Sequence, residues 1–403
     1  MRFISVALLA GSVGCTLVLQ LPAAEAAQTS VKMLYSFGGG TDGAWPYGSL
    51  ASVKGILYGT TSGGGAYSYG SVFAIDPNSK KIVDTLPYSF CAQKNCTDGS
   101  SPLSGLIAIK DTLYGTTQQG GANGSGTAFS LKARTGSEQT IYNFGGTDGA
   151  NAESGLINID GTLYGTTLSG GTNGKGTVFS LDPKRGTEQV IYSFCNQTNC
   201  ADGQSPMASL IDVDGTLFGT TQKGGANGKG TVFSVDPGTG SEKAVYSFCS
   251  TTKCADGEYP RSRLLDVNGM LYGTTFGGGT NGYFGTVFVV DPSTGTENVL
   301  YSFCKLRNCE DGQFPVAGLT NVNGKLYGTT SYGGATNGGE VFTLDPSTDT
   351  LNVVYSFCQQ QKCADGGFPE AGLVNVKGTL YGTTRGGGAS GNEYGTVFAV
   401  INP

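Results

Sequence analysis

Three short phrases recur seven times along this chain at nearly constant spacing. LYGTT begins at residues 57, 113, 163, 271, 326 and 380 and LFGTT at 217, so successive copies lie 50 to 56 residues apart. Tyr-x-Phe and a phrase close to GTVFxxDP also occur seven times each. Repeats of this length are typical of propellers and solenoids, in which each repeat is one supersecondary unit.

The fourth copy shows the expected secondary structure of one unit. ASLIDV, TLFGTT, TVFSVD and KAVYSF each have the pattern of a short strand, and Asp214-Gly215 between the first two fits a type I′ hairpin turn. The Gly-rich segment QKGGANGKG and the turn PGTGSE supply the other links. Four antiparallel strands per repeat are the pattern of one β-propeller blade.

The two ends of the repeat region are complementary pieces of one unit. VKMLYSF is a fourth-type strand without preceding partners, and GTVFAVINP is a third-type strand without a successor. We therefore predict an all-β, seven-bladed β-propeller with four antiparallel strands per blade, closed by the N-terminal strand completing the last blade. Blade one starts near Tyr47 and blade seven near Glu370. A solenoid, the alternative, requires distinct caps at both ends.

The repeated phrases resemble those of a known family. The combination of LYGTT, GG, GTVF and YSF at fixed spacing, from Tyr35 to Phe398, is similar to the Gloeo-Verruco (GloVer) tandem repeat of secreted bacterial proteins. The resemblance implies secretion and a repeat architecture. It implies no particular activity.

Charge and residue usage exclude several functions. Only 13% of residues are charged, the net charge is −6, and no basic cluster stands out, so nucleic acid and anionic membranes are not expected partners. The chain has no histidine, which excludes Ser-His-Asp and Cys-His catalysis and His-ligated zinc. Carboxylates, tyrosine, lysine and arginine remain as catalytic groups.

The first 26 residues predict a signal peptide. Arg2 is the positive region, residues 3–21 are the apolar stretch, and Ala24-Glu25-Ala26 is an A-x-A cleavage site. An uncleaved anchor is the alternative. Cleavage leaves one propeller domain, residues 27–403, with ten cysteines. We expect a secreted, periplasmic or cell-surface monomer without membrane insertion.

The ten remaining cysteines occur in pairs, and only in the longer links between blades. Five links from Tyr-x-Phe to the next Asp-Gly carry two cysteines five positions apart, whereas the shorter links YSFGGGTD and YNFGGTD carry none. A local disulfide in each long link explains this coupling, and thiolate metal sites are the alternative. The predicted pairs are Cys91–Cys96, Cys195–Cys200, Cys249–Cys254, Cys304–Cys309 and Cys358–Cys363.

An Asp-Gly pair precedes the first strand of every unit. We interpret these aspartates as Asx-type turn residues that start the strand. A ring of carboxylates around the channel mouth that shares one Ca²⁺ ion is the alternative, and no other cofactor is expected. The residues are Asp42, Asp98, Asp148, Asp202, Asp256, Asp311 and Asp365.

Strand order places all the long loops on one face, which we call the long-loop face, and binding residues concentrate in such loops. Aromatic residues at equivalent loop positions occur only in blades five, six, seven and one, a contiguous half of the closed ring; blade five also has Phe276, Tyr283 and Phe284. Exposed rings are costly unless they meet something. We therefore predict a stacking platform, and packing on neighbouring loops is the alternative. The predicted ligand-binding residues are Trp45, Tyr67, Tyr69, Tyr259, Arg261, Arg263, Phe314, Tyr332, Phe368, Glu370 and Tyr394.

Three classes of function fit these features. The leading hypothesis is a non-enzymatic propeller that binds a carbohydrate, a small ligand or an extracellular protein through the long-loop face. The second is an extracellular polysaccharide lyase or hydrolase, whose carboxylate pair near the channel mouth would come from Glu153, Asp256, Glu258 and Glu370. The third is a purely structural surface protein.

Overall fold

A computed structural model describes residues 29–79, 81–82, 87–389, 391 and 393–403. The predicted signal peptide, residues 1–26, lies outside these residues. Within the described ranges, no helix is both long and apolar enough to cross a membrane.

The chain forms seven antiparallel sheets, which are the blades of a β-propeller, as the sequence predicts. The innermost strands are Ala51–Val53, Ile107–Ile109, Ile157–Ile159, Ile211–Val213, Leu265–Val267, Thr320–Val322 and Val374–Val376. The second strands are Ile56–Thr61, Thr112–Thr117, Thr162–Thr167, Thr216–Lys223, Met270–Gly277, Lys325–Thr330 and Thr379–Thr384. The third strands are Ser71–Asp76, Thr127–Lys132, Thr177–Asp182, Thr231–Val235, Thr286–Asp291, Glu340–Asp345 and Thr396–Ile401.

The outermost strands complete each blade. They are Lys81–Ile82 with Tyr88–Ser89, Glu138–Asn143, Thr187–Ser193, Glu242–Ser247, Thr296–Ser302, Thr350–Ser356 and, in blade seven, Ser30–Ser36. Two short strands, Gln204–Pro206 and Glu258–Pro260, also pair with the second strands of blades four and five.

The ring is closed by the N-terminal strand. Ser30–Ser36 pairs antiparallel with Thr396–Ile401, from Ser30 opposite Ile401 to Ser36 opposite Thr396. The predicted closure is therefore confirmed, and blade seven is made from both ends of the repeat region. Pairing of this kind removes the strand edge that an open array leaves exposed.

Tight turns join the first two strands on the face opposite the long loops. At Asp160-Gly161 the two φ angles are 50° and 91°, and at Asp214-Gly215 they are 51° and 82°. Positive φ at both positions is the requirement of a type I′ turn, and Asp-Gly meets it at low steric cost. This face therefore has little room for a binding loop.

Each blade interface is built on a pair of phenylalanine rings. The phenylalanine of a Tyr-x-Phe phrase meets the GTVF-type phenylalanine of the next blade edge to face, as at Phe194 and Phe233, whose centroids are 4.9 Å apart. Both rings are fully buried, and such pairs stabilise beyond their buried area. The same contact joins Phe37–Phe73, Phe90–Phe129, Phe144–Phe179, Phe248–Phe288, Phe303–Phe342 and Phe357–Phe398.

A buried hydrogen bond reinforces six of the seven interfaces. The first threonine of an LYGTT phrase donates its hydroxyl to a carbonyl of the next blade, as Thr166 does to Ala208 at 3.2 Å. The equivalent pairs are Thr60–Ser104, Thr116–Ser154, Thr220–Ser262, Thr274–Ala317 and Thr329–Ala371. At the closing interface, the buried hydroxyl of Thr383 has no partner among the described residues.

Five disulfides confirm the predicted cysteine pairing, one in each long link. Each second cysteine ends a short 3₁₀ turn: Lys94–Cys96, Thr198–Cys200, Thr252–Cys254, Arg307–Cys309 and Gln361–Cys363. Because the sulfurs are bonded to each other, they are not thiolate ligands. This holds also where Glu258 comes within 4.8 Å of Cys249 and Cys254.

The side chains of the Asp-Gly aspartates accept hydrogen bonds from the links that precede them. Their interpretation as turn residues that start the next strand was therefore wrong. Asp202 accepts hydrogen bonds from the Tyr192 hydroxyl at 2.8 Å and from the backbone N–H groups of Asn196 and Gln197. All seven aspartates accept from the tyrosine of the preceding Tyr-x-Phe phrase. None lines the axial cavity, so a carboxylate ring that shares one Ca²⁺ ion does not fit their placement.

Glu340 is a buried departure from the repeat. It stands opposite Thr330, where blade three pairs the hydroxyls of Thr167 and Thr177 at 2.9 Å. Neither of its carboxyl oxygens has a hydrogen-bond partner in the described structure. Burial, and then the charge of Asp311, raise the pKa of Glu340 to about 9.

Four glutamates of the outermost strands also have raised pKa values. Burial raises the pKa of Glu138 and Glu188 to about 7 and the pKa of Glu242 and Glu297 to about 8, and the Asp-Gly aspartate of the link that leads into the same blade adds to each shift. Buried carboxyl groups therefore take up protons as the chain folds at neutral pH.

We expect Thr166→Val to lower the free energy of unfolding by about 1 to 3 kcal/mol, because it leaves the buried Ala208 carbonyl without its donor. Thr383→Val is the matched control. It removes a hydroxyl that has no partner among the described residues, so it should cost little or even stabilise. Equilibrium urea unfolding measures both, and equal losses would contradict the assigned role of the bond.

We expect Glu340→Thr to stabilise the protein increasingly as pH rises. The folded pKa of Glu340, about 9, lies above the usual 4.5. Between these two pH values, the folded state therefore keeps a proton that the unfolded chain releases. Wild-type stability therefore falls with rising pH, by up to about 1.4 kcal/mol per pH unit from this group.

Urea unfolding at a series of pH values between about 5 and 9 measures this effect. Glu310→Thr, at an exposed site in the neighbouring link, is the control for exchanging a glutamate for threonine. A difference between Glu340→Thr and wild type that does not change with pH would show that Glu340 is ionised in the fold.

Candidate ligand-binding site

The segment that leads into each innermost strand directs two residues toward the axis. A leucine directly precedes each innermost strand. The residue before that leucine lines the axial cavity, and the residue two positions earlier lies at the mouth on the long-loop face, because alternate residues of an extended chain point to the same side. The axial residues are Ser49, Gly105, Gly155, Ser209, Arg263, Gly318 and Gly372. The mouth residues are Tyr47, Leu103, Glu153, Met207, Arg261, Val316 and Glu370.

The third residue after each Asp-Gly aspartate is held in the same way in all seven blades. Its φ is positive, for example 57° at Phe314 and 58° at Phe368. Its N–H donates to the preceding blade's Gly-rich loop, as from Phe314 to the Phe284 carbonyl at 2.8 Å. Side chains from two successive blades therefore meet at this position.

Six rings form a continuous array across blades five, six and seven. Phe276 stacks on Phe314 at 4.9 Å with 21° between the planes, and Tyr283 contacts both rings and Tyr259. Tyr332 continues the row from Phe314 at 6.1 Å to Phe368 at 5.0 Å. We call Tyr259, Phe276, Tyr283, Phe314, Tyr332 and Phe368 the aromatic array. Its rings are partly exposed, Tyr283 most of all at 45%.

The aromatic residues of blade one form a separate group. Trp45 is 44% exposed and contacts Tyr394 at 6.2 Å. Its ring lies over Gly63, where a Cβ atom would come within 2.7 Å of it. Tyr67 and Tyr69 are about half exposed and contact no other ring in the described part of the chain. The predicted platform thus consists of the array and the Trp45–Tyr394 pair, with Tyr67 and Tyr69 outside both.

Arg261 lies on the array. Its guanidinium is 4.2 Å from the ring centre of Phe276. With the Gln222 amide oriented to suit its neighbours, the Gln222 carbonyl oxygen accepts from Arg261 at 2.6 and 2.8 Å. A guanidinium stacked on a ring still presents N–H donors at its edge.

Arg385 repeats this arrangement at the junction of blades seven and one. It lies 5.8 Å from the ring centres of both Phe368 and Tyr47 and donates to the Tyr47 hydroxyl at 3.4 Å. Its Nε pairs with Glu370 at 3.2 Å. The predicted polar residue Glu370 is therefore placed at the mouth by an arginine that sequence reasoning did not select.

Two carboxyl groups, Glu153 and Glu370, belong to the mouth. Burial raises the pKa of both, while the hydrogen bond from Gln118 to Glu153, at 2.6 Å, and the charges of Arg385 and Arg261 oppose the shifts. They belong to blades three and seven. The other acids proposed for an enzyme are engaged elsewhere: Asp256 accepts from Tyr246, and Glu258 pairs with Lys229 at 2.6 Å.

Arg263, predicted to bind a ligand together with Arg261, lies inside the channel and not on the aromatic array. Because it is two residues beyond Arg261, it occupies the axial position of blade five and lines a cavity of about 450 Å³. Solvent reaches its side chain, and the surrounding walls lower the pKa of its guanidinium. The two predicted arginines thus lie at different depths.

Sequence reasoning missed Tyr47, Gln222 and Arg385. Arg385 and Gln222 follow directly after the GTT of their blades, a position occupied by Ser, Gln, Leu, Gln, Phe, Ser and Arg in the seven copies. Variation at one position among otherwise similar repeats is the signal that would have found them.

These features define a class of protein: a disulfide-bonded, seven-bladed β-propeller with a mixed aromatic and charged surface at one mouth of its channel. The chain belongs to the Gloeobacter/Verrucomicrobia repeat family, whose model matches residues 21–158, 81–284 and 264–402. The resemblance predicted from the repeated phrases is therefore confirmed. No curated protein matches this chain in sequence.

Several solved structures share the fold. The extracellular domain of the one-component system BT4673 from B. thetaiotaomicron has a TM-score of 0.58 and 11% identity over 92% of this chain. The present chain spans 40% of that protein chain.

Two lyases are similar over nearly their whole length. Oligogalacturonate lyase in complex with manganese has a TM-score of 0.52 and 10% identity, covering 93% of this chain and 97% of the lyase. Oligogalacturonate lyase from Vibrio parahaemolyticus has a TM-score of 0.54 and 11% identity, covering 94% and 95%. At these identities the similarity shows the fold alone.

Proposed function

We propose that the protein binds a carbohydrate through the aromatic array, without transforming it, outside the cytoplasm. The observation that carries this proposal is the unbroken row of partly exposed rings from Tyr259 to Phe368. The apolar faces of sugar rings stack on such aromatic surfaces. The positions equivalent to Tyr259, Phe314 and Phe368 carry Ser101, Asn151 and Ser205 in blades two, three and four. The aromatic surface therefore covers one side of the ring and not the other.

The polar groups beside the array suit the same ligand. Arg261 offers N–H donors at the edge of Phe276, and Arg385 does so between Phe368 and Tyr47. These two arginines are balanced in number by the mouth carboxyls. Arg261 is already paired with Gln222 and Arg385 with Glu370, so affinity there comes from stacking and hydrogen bonds to hydroxyl groups.

The covalent structure supports a location outside the cytoplasm. The protein has five disulfides. Disulfides persist in oxidising compartments and are rare in the reducing cytosol. The predicted signal peptide, residues 1–26, agrees with this location.

Replacing three rings of the array, together with Trp45 at the equivalent position of blade one, by serine, the residue of blades two and four, tests the proposal. In a variant with Trp45, Tyr259, Phe314 and Phe368 changed to Ser, we expect loss of detectable binding to the glycans that wild type selects on an array. Each single change should weaken binding roughly 2- to 10-fold, since an aromatic contact contributes about 0.5 to 1.5 kcal/mol beyond its buried area.

Leu306→Ser is the matched control, because Leu306 is 51% exposed and lies outside the array. It should bind like wild type, and unfolding curves should show that all variants fold. Unchanged glycan binding by the fourfold variant would refute the array as the binding surface. Failure of wild type to select any glycan would favour a protein partner or a structural role.

A lyase or hydrolase is the second candidate, favoured by the raised pKa of Glu153 and of Glu370 at the mouth. Such an enzyme would use a protonated acid in this position. Our proposal predicts that purified protein generates no new reducing ends or unsaturated products from the glycans it binds. Turnover that disappears in both Glu153→Gln and Glu370→Gln would instead establish the enzyme.

A further inference from the structure

The axial channel has one departure from its sevenfold pattern. Six of the seven axial residues are glycine or serine, and the seventh is Arg263 in blade five. Small side chains leave the channel open, with a cavity of about 450 Å³ to which every blade contributes. Among the described residues that line this cavity, Arg263 is the one charged group.

The guanidinium of Arg263 has no compensating partner in the described structure. It takes part in no hydrogen bond or ion pair there, in contrast to Arg261 and Arg385 at the mouth. Five N–H donors on a planar group are therefore available to a ligand.

The carboxyl groups nearest along the channel do not neutralise it. Toward the long-loop face, Glu153 accepts from Gln118 and Glu370 pairs with Arg385. Toward the opposite face, Asp160 and Asp212 line an adjoining cavity of about 530 Å³ together with Arg263 but form no ion pair with it, and Asp212 accepts from the Gly215 N–H. Along the channel axis, Arg263 thus lies between the glutamates of the mouth and the aspartates near the opposite face.

We propose that the axial channel is a carboxylate-binding site in which the Arg263 guanidinium holds the carboxylate through paired N–H···O hydrogen bonds. A planar guanidinium matches the two oxygens of a carboxylate. The glycine and serine positions supply the space for the group that bears it.

The carboxylate has two chemical sources, a free small acid or an acidic sugar. In the second case the inference deepens and rests on the proposed function, because the sugar would lie on the aromatic array with its carboxylate directed into the channel. The first case is independent of the array. Both use the same guanidinium contact.

Calorimetric titration of the whole mature protein with glucuronate, glucose and acetate separates these cases. We expect glucuronate to bind more tightly than glucose, which has a hydroxymethyl group in place of the carboxylate. Binding of acetate as strong as that of glucuronate would assign the site to free acids. Arg263→Gly introduces the residue of blades two, three, six and seven, so it should fold, and it should weaken carboxylate binding roughly 10- to 100-fold.

Arg185→Ser, at an exposed turn, is the control and should leave the affinities unchanged. The proposal fails if wild type binds neither glucuronate nor acetate, or if Arg263→Gly binds them equally well. The fourfold serine variant distinguishes this failure from failure of the array. Loss of neutral-glycan binding in that variant, with none in Arg263→Gly, would support the array whatever the outcome for the channel.

Discussion

The edge-to-face contact between two phenylalanines at every blade interface is the constraint on which the rest of the propeller depends. Seven such contacts, with centroids 4.9 to 5.3 Å apart, fix how each sheet meets the next. The ring from GTVF also lies against the glycine of LYGTT: a Cβ atom on Gly165 would come within 2.7 Å of Phe179. Phenylalanine and glycine therefore recur together in each copy because one needs the space that the other leaves. The residues that recur in every copy thus form the scaffold.

Because the interfaces are equivalent, differences among copies become informative, but only with their surroundings. Phe314 and Ser101 occupy equivalent backbone positions with similar positive φ, so their contrast lies in what they present at the surface. Glu340 also departs from the repeat, yet it is fully buried, so its effect falls on stability and its pH dependence. A departure indicates binding when it lies at an open surface beside other departures, as Arg385 does beside Phe368.

The sequence predicted the strands, the tight turns, the disulfides and the aromatic half of the ring from local pattern, and it predicted ring closure from the complementary ends of the repeat region. It failed where the outcome depends on contacts between blades. The Asp202 carboxylate turns back to Tyr192 rather than forward into its own strand. Arg385 meets Tyr47 across 338 positions of sequence, a proximity that only ring closure produces. Arg263 and Arg261 looked alike in sequence, but a channel gives successive residues of one side different depths.

The candidate site offers different contacts at these two depths. At the mouth, arginines and glutamates are present in equal number and each has a polar neighbour, so under the proposed function stacking on the array would contribute more than electrostatic attraction. Deeper in the channel, the guanidinium of Arg263 has no such neighbour, and the same two-residue step that separates it from Arg261 separates a neutral surface from a basic one. A ligand with an apolar ring face and one carboxylate would satisfy both levels in a single orientation. Under the two proposals, the arrangement would therefore select for the direction of a ligand as well as its composition, which equivalent blades could not do.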